Sequence, residues 1–182
     1  MKDRLGLFPN IVQAHGWLHY GRHEPMTRLL INIKYRGGQR LARHVGEQMA
    51  WELFRTGMFT GVDCIMPVPL HYGRLLKRGY NQSYELARGV SYVLNVPVIN
   101  GLKARRHKSQ TRMSPLKRLN NVEGAYYISS RSPLLGTPGY RHILLIDDVC
   151  TTGSTLRNCI GVLTEALPAD VHISVLTLAM AH

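Results

Sequence analysis

The sequence predicts an α/β domain whose mainly parallel central sheet is flanked by helices. Short apolar runs, such as those at 62–70 and 141–148, alternate with segments of helical periodicity through most of the chain. Strands that are apolar almost throughout, with no polar alternation, are typical of parallel sheets covered on both faces. Ligands bind such sheets beyond the carboxyl ends of the strands, so the loops after these two runs should face one site.

The individual elements follow from apolar spacing and turn signals. Helices are predicted over 24–35 with Pro25 near the start, over 39–54 after a Gly-Gly break, over 81–95 behind Asn81 as N-cap, from Ser114, and over 155–167. Strands are predicted over 62–70, 96–100, 101–106, 124–129, 141–148 and 171–179. Residues 1–23 have no clear pattern, so we treat them as an N-terminal segment before a domain over 24–182.

Composition limits the classes of function. The 182 residues are 45% hydrophobic, enough to bury a substantial core, and no apolar run is long enough to span a bilayer. The N-terminus lacks the apolar stretch of a secretory signal, so a cytoplasmic protein is expected. The three cysteines have no CxxC spacing, which indicates neither a disulfide framework nor a thiolate zinc site. Of these, Cys150 lies in a loop where its thiol could be exposed.

The chain is strongly basic. Lys and Arg total 23 against 11 Asp and Glu, a formal charge of +12, and residues 103–118 contain no acid. This excess suits anionic partners, whether nucleic acid, phosphorylated metabolites or acidic protein surfaces, and does not choose among them. The basic segment could equally be a solvated loop.

A short tract of hydroxyls around one glycine, residues 151–155, precedes the last predicted helix. The first turn of a helix has free N–H groups and a partial positive charge, so it binds phosphate well. Gly153 allows close backbone approach. The tract therefore predicts a phosphate-binding loop, with the alternative that Ser154 or Thr155 only caps the helix.

Asp147 and Asp148 stand immediately before that loop. Two acids beside a phosphate site are reasonable if the ligand also has hydroxyls that donate hydrogen bonds, as a ribose 5-phosphate has. The carboxylates also suit Mg²⁺. The alternative is that one acid has a structural role, as a cap or in a pair with an arginine. The chain has no GxxxxGK[ST] and no GxGxxG after a strand, which disfavours a generic ATPase or dinucleotide enzyme.

LLIDDVCTTGST, residues 144–155, closely resembles the phosphoribosyl pyrophosphate signature of type I phosphoribosyltransferases. The resemblance implies that the acids contact the ribose and that the loop holds its 5-phosphate. It implies that residues 24–182 adopt the type I phosphoribosyltransferase fold, which includes a small hood. It also implies that Asp147 and Asp148 bind Mg²⁺ and that both are catalytic residues.

PVPLHYGRLLKRGYNQSYELA, residues 67–87, resembles the ComF family, which is related to the GntX proteins. IKYRGGQRLARHVG and KSQTRMSPLKRLNNVEGAY, at 33–46 and 108–126, match the same family, so the similarity covers roughly 20–180. Members often begin with a cysteine-rich zinc module, whose cysteines this sequence lacks. Competence and uptake of single-stranded DNA are implied as a context.

The two resemblances assign the remaining candidate residues. The pyrophosphate would lie on the turn at 67–70. The prolines at 67 and 69 have no N–H, which leaves Val68, Leu70 and the residues after them as donors. A mobile hood or catalytic loop is expected over 103–118. The ligand-binding candidates are Val68, Pro69, Leu70, Arg74, Lys77, Arg78, Gln110, Arg118, Val149, Cys150, Thr151, Thr152, Gly153, Ser154 and Thr155, with Lys108 as a further catalytic candidate. The arginines around 74–78 could instead form a simple basic helix surface.

Two functions from different classes are therefore expected. One is a Mg²⁺-dependent phosphoribosyltransferase that displaces pyrophosphate at the ribose anomeric carbon with an unidentified nitrogen acceptor. The other is a non-catalytic protein that binds phosphoribosyl pyrophosphate or associates with nucleic acid, with single-stranded DNA or DNA-uptake proteins as partners. A homodimer is the default expectation for this fold.

Overall fold

The computed structural model describes residues 1–6, 8–20, 25–35, 37–105, 125–135 and 139–181. The helix predicted from Ser114 and the candidate residues Lys108, Gln110 and Arg118 lie outside these ranges. The elements, in chain order, are α1 (Lys2–Leu5), β1 (Ile11–Tyr20), α2 (Pro25–Lys34), α3 (Gln39–Arg55), β2 (Cys64–Pro67), α4 (Tyr72–Arg78), α5 (Gln82–Leu94), β3 (Leu102–Ala104), β4 (Tyr126–Ile128), a 3₁₀ turn (Pro133–Leu135), β5 (His142–Cys150), α6 (Ser154–Ala166) and β6 (His172–Ala181).

The central sheet has the strand order β1-β6-β5-β2, and each neighbouring pair is parallel. All four strands therefore end at the same edge of the sheet. The register pairs Pro67 of β2 with Ile146 of β5, so the loop after β2 begins beside the two acids that follow Ile146. This arrangement confirms the predicted α/β fold with a parallel central sheet.

The apolar run of β5 is buried on both faces. Leu144 and Ile146 belong to a core formed with α2, α3 and α5, whereas Ile143 and Leu145 belong to a second core with α1 and α6. Because successive side chains of a strand point to opposite faces, one continuous apolar run supplies both cores. Helices therefore cover both faces of the sheet, as the unbroken hydrophobicity predicts.

The N-terminal segment contributes an element that the sequence analysis did not predict. Ile11–Tyr20 is β1, an edge strand that pairs with β6 from Ile11↔Ile173 to Tyr20↔Ala181. Its mixed sequence, IVQAHGWLHY, has neither the apolar run of a central strand nor a clean alternation. The proposed boundary at 23/24 did not anticipate that the segment joins the sheet of the following domain.

A second, two-stranded sheet pairs β3 and β4 antiparallel, with Lys103 opposite Tyr127. Both strands were predicted, although each is shorter than expected. The strand predicted over 96–100 is wrong, because the structure has only an isolated bridge there, between Val98 and Ile65. Pro97 accounts for the difference, since it offers no N–H and only its carbonyl bonds to Ile65. No helix among the described residues is long and apolar enough to cross a membrane.

Helices α3 and α5 pack with their backbones almost in contact. A Cβ atom added at Gly46 would lie well under 3.0 Å from the carbonyl of Leu86, and one added at Gly89 would meet the carbonyl of Arg43 as closely. Neither neighbouring backbone can move aside without shifting its helix. The two glycines therefore set how closely α5 lies against α3.

We expect Gly89→Ala to lower the free energy of unfolding by about 1–3 kcal/mol, because the added methyl group forces two backbones apart. Gly73→Ala is the matched control. Gly73 lies in α4 with its nearest neighbour for an added Cβ at 4.0 Å, so alanine should be neutral or stabilise by about 0.5–1 kcal/mol. Urea unfolding of both variants measures the difference, and equal effects would contradict the packing argument.

Candidate functional site

A polar cavity of about 370 Å³ lies at the carboxyl ends of β2 and β5. Its walls are the loop after β2, the first turn of α5 and the end of β5. The structure brings most of the predicted site residues into it: Val68, Pro69, Leu70, Arg74, Arg78, Asp147, Asp148, Val149, Thr151 and Thr155. Lys77 is exposed on α4 and is not among the lining residues.

Asp147 is the buried member of the acidic pair. It is 8% exposed, and its Oδ1 accepts hydrogen bonds from Ser83 Oγ and from the backbone N–H of Asp148, both at 2.9 Å. Burial, which disfavours the charged form, and the neighbouring charge of Asp148 together raise the pKa of Asp147 to about 7. Asp147 is therefore protonated more readily in the folded chain than an ordinary aspartate.

Asp148 is half-buried at the mouth of the cavity, and its Oδ2 lies 3.5 Å from Lys34 Nζ. One alternative was that an acid pairs with an arginine. In the structure the partner of Asp148 is a lysine at the end of α2. Lys34 was not among the predicted site residues, although it lies in the 33–46 segment that resembles the ComF family. Its position places a cation beside both acids.

The loop from Thr151 to Gly153 joins β5 to α6 and encloses a small cavity of about 30 Å³, which is lined by residues 149–156 and Asp147. Gly153 is the N-cap of α6, with φ +77°, and no side chain caps that helix end. The alternative that Ser154 or Thr155 serves only as the cap is therefore wrong. The N–H of Ser154 has Thr152 Oγ1 at 3.4 Å, and the N–H groups of the first turn of α6 have no partner within the helix, as at any helix start. Such a helix start favours an anion.

Cys150 does not have the exposed position that the sequence allowed. It is the last residue of β5 and only 1% exposed, and burial raises the pKa of its thiol. The strand continues two residues beyond the predicted end, because Val149 and Cys150 still pair with β6 at Ala179 and Met180. Cys150 therefore lines the small cavity of the 151–153 loop as part of the sheet and not as a reactive thiol.

The turn after β2 is hydrogen-bonded to the neighbouring strand, which the sequence did not indicate. The N–H of Val68 donates to the carbonyl of Ile146 at 2.8 Å, so it is not free for a ligand. This corrects the expectation that Val68 is a backbone donor. The carbonyl of Val68 in turn accepts from Asn81 Nδ2 at 3.0 Å. Of the two N–H groups first considered, that of Leu70 remains.

Side chains supply what this turn lacks. Arg74 and Arg78 line the cavity from α4, a helix with no buried residues. Arg78 Nη1 donates to Gln82 Oε1 at 2.9 Å, which orients an amide that is 1% exposed. Gln82 Nε2 has no hydrogen-bond partner within the described part of the chain. The basic helix is thus more than a solvated surface, since two of its arginines line the same cavity as the acids.

Gln82 and Ser83 are functional candidates that sequence reasoning missed. Both stand in the first turn of α5, directly after Asn81, whose side chain accepts from the N–H of Ser83 at 3.1 Å. The signal was available, because a capped helix start beside two strand ends directs polar side chains toward those ends. A metal would have to rely on the acidic pair, since no group of three or more His, Cys, Asp or Glu ligands occurs among the residues described.

The fold is similar to that of two solved structures. The chain superposes on a glutamine phosphoribosylpyrophosphate amidotransferase from B. subtilis, complexed with ADP and GMP, with a TM-score of 0.51 and 18% identity, covering 80% of this chain and 30% of that one. A structure described as the allosteric regulatory enzyme of purine biosynthesis gives 0.51 and 19% over the same shares. These likenesses define the type I phosphoribosyltransferase fold.

Sequence relatives narrow the assignment, although no family model matches the chain. Competence protein F of Haemophilus influenzae is 31% identical over 140 residues, which are 74% of this chain and 59% of that protein. DNA utilization protein YhgH of Escherichia coli is 27% identical over 154 residues, 82% of this chain and 65% of that protein. The chain belongs to the ComF family, and it spans about three fifths of the length of these relatives.

The raised pKa of Asp147 has a measurable consequence for stability. Because folding raises this pKa from 3.8 to about 7, the folded chain binds more protons than the unfolded chain between these values. The group's contribution to stability is therefore complete below about pH 4 and is lost as the pH rises toward 7, at up to about 1.4 kcal/mol per pH unit.

We expect the Asp147→Asn variant to lack this decline, so that its free energy of unfolding gains on that of the wild type from pH 4 to pH 7. Urea unfolding across that range measures both curves, and their difference isolates the one carboxyl. Parallel curves would show that Asp147 ionises at its ordinary pKa in the folded chain.

Proposed function

We propose that the chain binds phosphoribosyl pyrophosphate with Mg²⁺ and displaces its pyrophosphate with a nitrogen nucleophile. The observation that carries this proposal is the acidic pair, Asp147 and Asp148, lining one cavity with the phosphate-binding loop and with two arginines. A simple phosphate-binding protein would gain nothing from the acids, because they repel the ligand. The name of the amidotransferase of the same fold, which includes this sugar phosphate, supports the choice of ligand.

Each part of the ligand has a matching group. The 5-phosphate would bind the N–H groups between Thr151 and Thr155, the ribose hydroxyls would donate to Asp147 and Asp148, and the pyrophosphate would lie toward α4. There the loop offers few N–H groups, so the guanidinium groups of Arg74 and Arg78 carry most of the binding, each able to form paired hydrogen bonds with phosphate oxygens. We include Gln82 Nε2 as a further donor at this end.

The donor set fits Mg²⁺. This ion is commonly held by one or two carboxylates, with water and substrate phosphate oxygens completing an octahedron, and Asp147 and Asp148 are two carboxylates at the cavity wall. Asp147 Oδ1 already accepts two hydrogen bonds, which leaves Oδ2 and the carboxylate of Asp148 for the ion. When bound, the ion would neutralise charge on the departing pyrophosphate.

The reaction breaks the bond between the anomeric carbon and the pyrophosphate oxygen, which leaves with the bonding electrons. A bond from the acceptor nitrogen to the same carbon replaces it, and the nitrogen then gives up a proton. The carboxylates would stabilise positive charge that develops on the ribose ring, and Arg74 and Arg78 the negative charge on the leaving group. By the family resemblance, Lys108, Gln110 and Arg118, which lie outside the described residues, would contact the departing pyrophosphate. We further propose that the chain acts as a homodimer in the cytoplasm.

A second function, association with single-stranded nucleic acid, is favoured by a specific observation. The guanidinium of Arg105 lies 5.8 Å from the ring centroid of Tyr127, which is 41% exposed, beside a cavity of about 650 Å³ also lined by Tyr72 and Lys103. Aromatic side chains interleaved with cations are the usual means of holding single strands. The relatives' names, which refer to competence and DNA utilization, support this candidate.

The ligand proposal is tested by thermal unfolding with and without Mg²⁺ and phosphoribosyl pyrophosphate. At ligand near 100 times its dissociation constant, binding should add about 2.7 kcal/mol, which is a rise of roughly 5–10 °C in Tm for a chain of this size. We expect the rise to require Mg²⁺ and to vanish in Asp147→Asn/Asp148→Asn.

Asp170→Asn is the matched control, because Asp170 pairs with Arg141 away from the cavity and its loss should leave the shift unchanged. Release of pyrophosphate in the presence of candidate bases and amines then separates turnover from binding. A well-folded wild type whose Tm does not respond to the ligand would overturn the proposed site.

The nucleic-acid candidate is tested by titrating labelled oligo-dT at several salt concentrations. Loss of one stacked base costs about 1–3 kcal/mol, so Tyr127→Leu should weaken binding by roughly 5- to 150-fold. Tyr92→Leu is the control, since Tyr92 is 78% exposed on α5, outside this cavity. Equal affinities for the two variants would remove Tyr127 as a stacking platform.

A further inference from the structure

We propose that Arg4 and Arg157 are positioning residues that orient the phosphate-binding loop, an inference that rests on the proposed function. Arg4 Nη1 donates to the carbonyl of Thr151 at 2.9 Å, and Arg157 Nη1 donates to the carbonyl of Thr152 at 2.8 Å. Two successive peptide groups of the loop are thus each held by a guanidinium. Neither arginine belongs to the signature motif, and Arg4 is about 150 residues distant in the chain.

The orientation of the carbonyls fixes that of the N–H groups. In a planar trans peptide the C=O and the N–H point to opposite sides. With the carbonyls of Thr151 and Thr152 held toward the arginines, the N–H groups of Thr152 and Gly153 point the other way. Successive N–H groups directed to one side form an anion-binding concavity. If either peptide rotated, a carbonyl oxygen would replace a donor in that concavity.

A hydrogen bond also joins the two arginines. Arg157 Nη1 donates to the backbone carbonyl of Arg4, and its Nη2 lies 3.2 Å from Ser154 Oγ. Arg4 additionally donates to the carbonyl of Ala181, at the end of β6. Helix α1 is thereby attached to both the loop and the sheet. All of these hydrogen bonds join groups of the chain itself, and together they hold the loop peptides in one orientation.

Gly153 fits the same arrangement. An added Cβ would lie 2.7 Å from the carbonyl oxygen of Arg4 and 3.3 Å from Arg157 Nη1, and φ is +77°. The glycine of the loop is thus required by the backbone of α1 as well as by its own conformation. The N-terminal segment is in this respect part of the ligand site.

Positioning and simple attraction by charge make different demands on these side chains. A positive charge behind the loop would favour an anion whether it came from arginine or lysine. Holding carbonyls at fixed positions needs the planar guanidinium with its several donors, which lysine does not provide. A lysine substitution keeps the charge and removes the fork, so it distinguishes the two.

The experiment measures the affinity of the full chain for two probes, ribose 5-phosphate and inorganic pyrophosphate, by calorimetry. We expect Arg157→Lys and Arg4→Lys to weaken ribose 5-phosphate binding by about 10-fold or more, equivalent to about 1.4 kcal/mol. Pyrophosphate, which would bind at the α4 end, should change by less than about 2-fold. Arg141→Lys, at the opposite end of β5, is the matched control and should alter neither affinity.

The possible results separate the inference from the function on which it rests. Failure of the wild type to bind ribose 5-phosphate would overturn both. Wild-type binding that both lysine variants retain in full would overturn the positioning role alone and leave the site intact. An equal loss of both probes would also overturn it, because a general loss of folding or charge acts on the whole cavity. If one variant does not fold, the other still decides.

Discussion

The hydrogen bond from Ser83 to Asp147 connects the parts on which the site depends. Asp147 ends the continuous buried run of β5 from His142, and Ser83 belongs to the first turn of α5. A buried carboxyl needs hydrogen-bond partners, and here one comes from a helix start and another from the next residue's own N–H. The same helix turn supplies Asn81 to hold the neighbouring loop and Gln82 to the cavity wall. Strand ends and helix start are therefore fixed to one another by polar contacts.

Much of this site could be predicted because it is local in sequence. The acids, the hydroxyl loop and the helix that follows occupy residues 144–166, and a strand–loop–helix unit needs no knowledge of distant contacts. What could not be predicted depends on register and on chain ends. The loss of Val68 as a donor follows from the pairing of β2 with β5, and the contact of Arg4 with Thr151 joins residues that no spacing rule relates.

The fold was predictable for a similar reason. Unbroken apolar runs gave the central strands, since burial on both faces leaves no polar positions. β1 was missed because an edge strand has less to bury, and its histidines and glutamine obscure any pattern. The similarity to amidotransferase structures and the similarity to competence proteins are of different kinds. The first is a shared fold at 18–19% identity, on which unrelated functions can be built, and the second is descent at 31%.

The near contact of α3 and α5 at Gly46 and Gly89 also has a mechanical consequence. Two helices whose backbones touch cannot slide or separate without a large cost in free energy. Helices α3 and α5 therefore behave as one rigid unit on this face of the sheet. The first turn of α5, which forms one wall of the cavity, belongs to this rigid unit. The facing wall, α4, has no buried side chain and ends at Gly79 with φ +82°. Between these two walls of the described cavity, adjustment to ligands of different size is therefore expected on the α4 side, while the first turn of α5 and Asp147 bonded to it stay in place.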